Sequence, residues 1–137
     1  GVQDFADDVG HWPTLFDDDA LTAALFGLGA FIEKAGTGGG LFRTLQAHGC
    51  QNIADLLDDA ATAEAAAAAR HASKAWSTLA AAATDAGTSL RSRSLAAAKV
   101  AATIPDAETR LVEALETASR SVGTVDTGIE AHLKGYL

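Results

Sequence analysis

Apolar residues recur at every third or fourth position through most of this chain, whereas the strict alternation expected of β-strands is absent. Recurrence at that spacing places one apolar stripe on each helix and is typical of amphipathic α-helices. The pattern predicts five helical segments separated by short turns, and short turns favour antiparallel neighbours. The predicted fold class is therefore all-α, an antiparallel bundle of about five helices with short loops.

The segments divide the chain into an N-terminal arm over residues 1–16, a helical bundle over 17–122, and a C-terminal tail or short helix over 123–137. The aspartates at 17–19 favour the start of the first helix. Its apolar stripe comprises Leu21, Leu25, Leu28 and Ile32. Gly27 and Gly29 inside this helix indicate close approach by another backbone, and Gly36 fits a left-handed cap at its end.

Capping residues and glycines predict the remaining boundaries. A short second helix covers about 39–48 and ends at Gly49. Asn52 caps a third helix that continues to about residue 83, with a break between 58 and 62 left open. Thr88 or Ser89 caps the fourth segment, and Thr103 caps a fifth that has a proline in its first turn.

Alanine supplies much of the hydrophobic content, which is 48% of the chain. Leucine, the five phenylalanines and the two tryptophans are therefore expected to build most of the core. The alanine-rich face over 60–75 permits close contact between helices, including contact with a second copy of the chain.

The charge balance excludes some partners, because the 137 residues carry a net charge of −8 and the pI is about 4.7. An acidic surface argues against nucleic acid and against an anionic membrane as partners. The single cysteine, Cys50, allows no internal disulfide, so a reducing, cytoplasmic location is expected. The chain lacks methionine and begins Gly-Val, which we interpret as a domain cut from a longer protein, with processing of a complete protein as the alternative.

The stretch AGTGGGLFR at residues 35–43 contains four glycines between two helical segments. A glycine-rich entry leaves free N–H groups at the positive end of the following helix. A phosphate, a carboxylate or a partner segment could bind there, and the candidate site residues are Gly36, Thr37, Gly38, Gly39, Gly40 and Arg43. The alternative is a packing role, in which the glycines cap one helix and let two helices approach closely.

Other candidate chemistry is sparse. The acidic clusters at 17–19 and 58–59 are interpreted as helix starts or surface charge, and no metal site is predicted because no known ligand spacing is present. His48 and Cys50 could form a catalytic thiol–imidazole pair, but a buried cysteine beside a surface histidine is the favoured interpretation. We therefore predict no catalytic residue and no cofactor.

Four stretches occur in order between about residues 10 and 120: WPTLFDD, AFIEKAGTGGGLFRTL, AWSTLAAAA and AETRLVEAL. Together they resemble the C-terminal helical domain of butirosin-biosynthesis-H-like proteins. The most recognisable part of that domain is a stretch of the form I-E-x-x-G-T-G-G-G-x-F/Y-R. This chain matches it at Ile32–Glu33 and Gly36–Arg43.

The resemblance implies an N-terminal cysteine-peptidase-like domain in the same protein, carrying the catalytic cysteine and histidine. The better-known members transfer an acyl group from a carrier-protein thioester to an amino group in natural-product biosynthesis. The leading hypothesis is thus a non-catalytic helical domain that packs on, or completes the substrate pocket of, such a catalytic domain, with an acyl-carrier thioester as a further partner. The alternative is a stand-alone helical interaction or oligomerisation module.

Overall fold

In the computed structural model, which describes residues 1–34 and 39–134 and the side chains as far as residue 123, every regular element is helical. This confirms the predicted all-α bundle. The helices are α1 Val2–Leu15, α2 Asp18–Lys34, α3 Gly40–Leu57, α4 Ala60–Thr84, α5 Leu90–Ala101 and α6 Ile104–Lys134.

Helix α1 replaces the arm expected over residues 1–16. Its apolar residues recur at helical spacing, and they are Val2, Phe5, Ala6, Val9 and Trp12. Ala6 and Val9 are buried, and the other three pack against the same core. Pro13 lies in the last turn of α1, and the helix ends two residues later. The arm prediction was wrong because the acidic residues between these positions obscured a complete apolar stripe.

The boundary expected at Gly49 and Asn52 was also wrong, since α3 runs without interruption from Gly40 to Leu57. The open break near 58–62 is real. Asp58 adopts a left-handed conformation with φ of 49°. Asp59 then caps α4 by accepting a hydrogen bond from the backbone N–H of Thr62 at 2.9 Å.

Two other boundaries agree with the sequence. Ser89 caps α5 by accepting a hydrogen bond from the Ser92 backbone N–H, and α6 begins at Ile104, one residue after Thr103. Helix α6 continues to Lys134, so most of the segment predicted as a tail or a short helix over 123–137 is the last part of one long helix. Residues 135–137 lie outside the described residues.

Helix α4 is the central element, because it packs against α2, α3, α5 and α6. One side of the core is rich in leucine and isoleucine, contributed by α1, α2, the second half of α4, α5 and the start of α6. The other side joins α3, the first half of α4 and α6, and all but one of its buried residues are alanine. The alanine face predicted as a surface for a second copy is thus buried inside this chain.

The aromatic residues contribute less to the core than their number suggests. Phe26 and Phe31 on α2 are 68% and 55% exposed, and Phe42 on α3 is 44% exposed. In contrast, all four aliphatic residues of the predicted α2 stripe are buried. Small alanine side chains let helices pack closely, so the bundle closes around them and leaves large rings on the outside.

Candidate functional site

The entry into α3 is tightly packed at its two described glycines. A Cβ atom on Gly39 would lie 2.7 Å from the Cα and the carbonyl oxygen of Ile32, and one on Gly40 would lie 2.6 Å from the Ser77 hydroxyl. Any larger residue would push the start of α3 away from α2 and α4. Gly39 and Gly40 therefore have the packing role that the sequence left as an alternative. Gly36, Thr37 and Gly38, and the predicted cap at Gly36, lie outside the described residues.

Arg43, one turn into α3, forms a two-pronged ion pair with Glu108 of α6. The arginine Nε donates to Oε1 at 2.9 Å and Nη2 donates to Oε2 at 2.8 Å. The third nitrogen, Nη1, donates to the side-chain oxygen of Gln46 at 3.1 Å. The side chains of Arg43 and Glu108 are only 19% and 10% exposed. Fork-to-fork pairing of this kind is strong and geometrically specific.

Trp76 of α4 completes this cluster. Its indole N–H donates to Oε1 of Glu108 at 2.6 Å, and its ring packs against Phe5 of α1 with centroids 5.6 Å apart. Glu108 therefore links α3, α4 and α6 at the junction of the two halves of the core. We call Arg43, Gln46, Trp76 and Glu108 the Glu108 cluster.

A second polar contact ties the start of α3 to α4. The Ser73 hydroxyl donates to the carbonyl oxygen of Gly40 at 3.0 Å and lies 2.7 Å from the Thr44 hydroxyl. Together with the Glu108 cluster, this contact fixes the position and the rotation of α3. All three guanidinium nitrogens of Arg43 have partners within the chain, so its geometry indicates a structural role. Binding of a ligand or partner by residues 36–43 stays a prediction.

An open groove runs along α2 and α4 beside the α3 entry. Its volume is about 450 Å³. Most of its lining is apolar, with Gly29 and Ala80 along the floor and the exposed ring of Phe26 at the edge. Gly29 is buried against the backbone carbonyl of Ala80 and the side chain of Thr84, so the prediction of a close approach is confirmed there, whereas Gly27 faces open space.

Glu33 and Lys34, at the C-terminal end of α2, bring two charged side chains to this groove beside the start of α3. Both line the groove, together with Ser77. Glu33 and Ser77 also lie next to Gly40, whose added Cβ would be 3.3 Å from the Glu33 carboxylate. A molecule in the groove would therefore meet a carboxylate and an ammonium group at the end nearest the start of α3.

The proposed pairing of His48 with Cys50 has poor geometry, since both lie on the continuous helix α3. Residues two apart on a helix point in different directions. Desolvation raises the pKa of the half-buried Cys50 thiol, which disfavours the nucleophilic thiolate. Among the described residues, no group of three or more His, Cys, Asp or Glu side chains is placed to hold a metal ion.

Glu108 and Trp76 were not among the predicted site residues, although the sequence contains a signal for Glu108. The carboxylate lies in the middle of the buried stripe of α6, four residues after Ile104 and three before Leu111. A charged residue inside an apolar stripe needs a partner of opposite charge. Arg43 occupies an equivalent place on α3, between the buried residues Gly40 and Ala47.

The fold and the site define an all-α helical domain with a buried ion-pair cluster and an open apolar groove. The chain belongs to the family described as a domain of unknown function, DUF4872, whose sequence model matches residues 1–115. The matched range includes α1, the described glycines Gly39 and Gly40, and every member of the Glu108 cluster. No curated protein and no solved structure matches the chain. In the part of the chain that the structure describes, no helix is both long and apolar enough to cross a membrane.

Proposed function

We propose that this chain is a non-catalytic helical domain of a cysteine-dependent acyltransferase-like protein of natural-product biosynthesis. It packs on an N-terminal cysteine-hydrolase-like domain of the same protein and completes the substrate pocket of that domain. The resemblance at Ile32–Glu33 and Gly36–Arg43 supports this proposal. The α2/α4 groove, which is lined by Glu33 and lies beside Gly40, is the contact surface.

The observation that carries the proposal is the exposure of a large apolar side chain at the groove, where Phe26 is 68% exposed. Phe31 on the same helix is 55% exposed but does not line the groove. Fully burying a phenylalanine side chain contributes about 1.5–3 kcal/mol. A second domain seated on α2 would recover much of that free energy, and the groove would accept one of its side chains or the end of a substrate.

The Glu108 cluster supports this contact indirectly. By fixing α3 on α4 and α6, it holds Gly39 and Gly40, at the start of α3, at one end of the groove. Binding surfaces are most precise when rigid helices position them. The carrier protein would dock elsewhere, because acyl-carrier proteins are usually acidic and this chain carries a net charge of −8.

The proposal is tested by footprinting with a reactive carbene on this chain alone and on the longer protein translated from the same gene. We expect the gene to encode a cysteine-hydrolase-like domain before residue 1. Labelling of Phe26 should fall in the longer protein, because the upstream domain covers the groove. Leu95 on α5 is the matched control, since its 61% exposure is close to that of Phe26 and it does not line the groove.

A substitution tests the functional consequence. Phe26→Ser should lower the rate of acyl transfer by the longer protein and leave the fold intact, because the ring is exposed and contributes little to the core. Leu95→Ser should leave the rate unchanged. Equal labelling of Phe26 in the two proteins, or a gene without an upstream cysteine-hydrolase-like domain, would contradict the proposal.

A further inference from the structure

Helix α3 carries its small residues on the inside and its large apolar residues on the outside. The residues buried against α4 and α6 are Gly40, Ala47 and Ala54. The apolar residues that face solvent are 43–83% exposed, and they are Leu41, Phe42, Leu45, Ile53 and Leu56. We call these five residues the α3 outer face. An amphipathic helix of a monomeric bundle has the opposite arrangement.

Four of the five residues of the α3 outer face are arranged symmetrically about Gly49. Leu45 and Ile53 lie four residues before and after Gly49, and Phe42 and Leu56 lie seven residues before and after it. When a two-fold axis perpendicular to a helix relates two copies of it, the helices run antiparallel and the residue at the axis meets itself. Each position then meets the position at the same distance on the other side of the axis. An apolar pattern that mirrors itself about one residue is the pattern that such a pair requires.

Gly49 occupies the centre of this pattern, where two helices would come closest. A Cβ atom at Gly49 would meet nothing within 4 Å in this chain. Glycine in the middle of a helix costs stability relative to alanine, and no packing contact within the described part of the chain requires it at this position. Gly10, Gly27 and Gly123 are also open, but the symmetric apolar stripe of α3 is centred on Gly49. A glycine at a crossing point shortens the distance between two helix axes.

From this symmetry we propose that a second copy of the chain docks on the α3 outer face, with the two α3 helices crossing antiparallel at Gly49. This surface is separate from the α2/α4 groove, so the inference does not rest on the proposed function. It also differs from the alanine-rich face suggested by the sequence, which is buried inside the chain.

The area of the face is sufficient for such a contact. If a fully exposed side chain of this size presents about 200 Å², the five residues expose about 500 Å² in one copy. A symmetric pair would therefore bury about 1,000 Å² of apolar surface from these side chains alone, the minimum for a specific interface. Flanking polar residues would add the rim that such interfaces normally have.

The α3 outer face itself carries no charge. The described charged residues of this helix, Arg43 and Asp55, lie outside that face, and the Arg43 guanidinium is bound to Glu108 on the inner side of the helix. No like charges would therefore be brought together. Asp58, at the C-terminal end of α3, would lie beside the positive N-terminal end of the partner helix, and that placement is favourable.

Sedimentation equilibrium of the 137-residue chain tests the proposal. We expect a reversible dimer, with a mass twice the 13.9 kDa of one chain. Leu45→Asp should weaken the dimer by at least about tenfold, because it places a charge in an apolar interface. Leu95→Asp is the matched control, since Leu95 on α5 is 61% exposed and Leu45 is 59% exposed. It should leave the dimer unchanged.

A cross-link tests the position of the axis. In a Cys50→Ala background, Gly49→Cys should form an intermolecular disulfide on mild oxidation, because the residue at the axis meets its own copy. Gly10→Cys, at an open helical glycine of α1, is the control and should remain reduced. A circular dichroism spectrum of each variant establishes that it is folded.

Three results would each overturn the inference: a monomer at every concentration, a dimer that Leu45→Asp does not weaken, or a Gly49→Cys thiol that cross-links no faster than Gly10→Cys. None of them bears on the α2/α4 groove, since these measurements use the isolated chain. Conversely, failure of the Phe26 footprinting would leave the dimer unaffected. Footprinting of Leu45 that shows protection only in the longer protein would assign the α3 outer face to another domain and also overturn the inference.

Discussion

Arg43→Met, which removes the guanidinium of the Glu108 cluster and keeps an aliphatic chain of similar length, should destabilise the domain strongly. It leaves the Glu108 carboxylate buried with the Trp76 indole as its remaining donor in the cluster. Removing one member of a buried ion pair typically costs about 3–5 kcal/mol. Because the Arg43 side chain is 19% exposed, we expect the lower end of that range. For a chain of this length, about 3 kcal/mol lowers the melting temperature by roughly 10 °C.

A second substitution shows whether this loss comes from the pair. Glu108→Gln keeps an acceptor for the Trp76 indole and removes the negative charge. Arg43 then loses its counter-ion, but its guanidinium can reach solvent, so we expect a smaller loss of about 1–3 kcal/mol. The double variant leaves neither charge unpaired and should be more stable than the sum of the two losses predicts, by about 1–3 kcal/mol.

Urea unfolding followed by circular dichroism, with thermal melting as a second measurement, gives the four free energies of this cycle. Arg70→Met is the control, because Arg70 is exposed and makes one hydrogen bond, to Gln51 at 3.2 Å. It should change stability by less than about 0.5 kcal/mol. If Arg43→Met changes the free energy of unfolding no more than the control does, the ion pair does not hold α3 in place. The hypothesis that Arg43 binds a ligand would then be favoured. Additive losses would show that Arg43 and Glu108 act independently.

Three further predictions follow from packing and titration. Gly39→Ala should lower stability by about 1–3 kcal/mol in urea unfolding because the added methyl meets the α2 backbone, whereas Gly27→Ala, in open space, should raise it by up to about 1 kcal/mol; equal effects would contradict the packing role. Hydrogen bonds from Ser121 and Thr62 lower the pKa of Asp59 below its ordinary value of 3.8, so its stabilising contribution is complete above that value and is lost as the pH falls through the lowered pKa. The difference in melting temperature between the wild type and Asp59→Ala should therefore shrink on acidification below about pH 4, and a constant difference would refute this linkage. Cys50 should react slowly with iodoacetamide near neutral pH and rapidly in denaturant, since burial raises its pKa; rapid labelling of the native chain would revive a reactive-thiol role.

The sequence predicted the helical class and several boundaries because those depend on local interactions. Ser89 caps α5 through its own hydroxyl, and the proline after Ile104 suits the first turn of α6. These signals act within one turn, where the chemistry of single residues is sufficient. The four buried aliphatic residues of α2 likewise share one face at helical spacing, so periodicity alone identified them.

Helix α3 shows where local signals fail. Gly49 and Asn52 are both typical of helix ends, and together they predicted a boundary that the structure does not have. Packing of Ala47 and Ala54 against α4 continues the helix past both residues, because tertiary contacts outweigh a propensity cost of about 1 kcal/mol. The actual end, at Asp58, needs a left-handed backbone that aspartate tolerates better than most residues.

The site was predictable in part. Arg43 was identified from the sequence, but the residues it joins lie far away along the chain. Glu108 is 65 residues from Arg43, and Trp76 is 32 residues from Glu108. No periodicity links α3 to a particular helix, so the ion pair could not be assigned. A charged residue in an apolar stripe does indicate that a partner exists. Two such residues of opposite sign, Arg43 on α3 and Glu108 on α6, were present to be paired.

The composition of α4 explains why the large side chains of α3 lie outside. Its first half is mostly alanine, and α3 and α6 both pack against it. The alanine surface of α4 brings the neighbouring helix so close that only small residues fit between them. Helix α3 supplies Gly40, Ala47 and Ala54 at this contact. Leucine, isoleucine and phenylalanine on the same helix are thereby turned to solvent, where their exposure is unfavourable for an isolated chain. The close internal packing and the exposed outer face therefore have one cause: the small residues of α3 that fit against α4 place its large apolar residues on the opposite side of the helix.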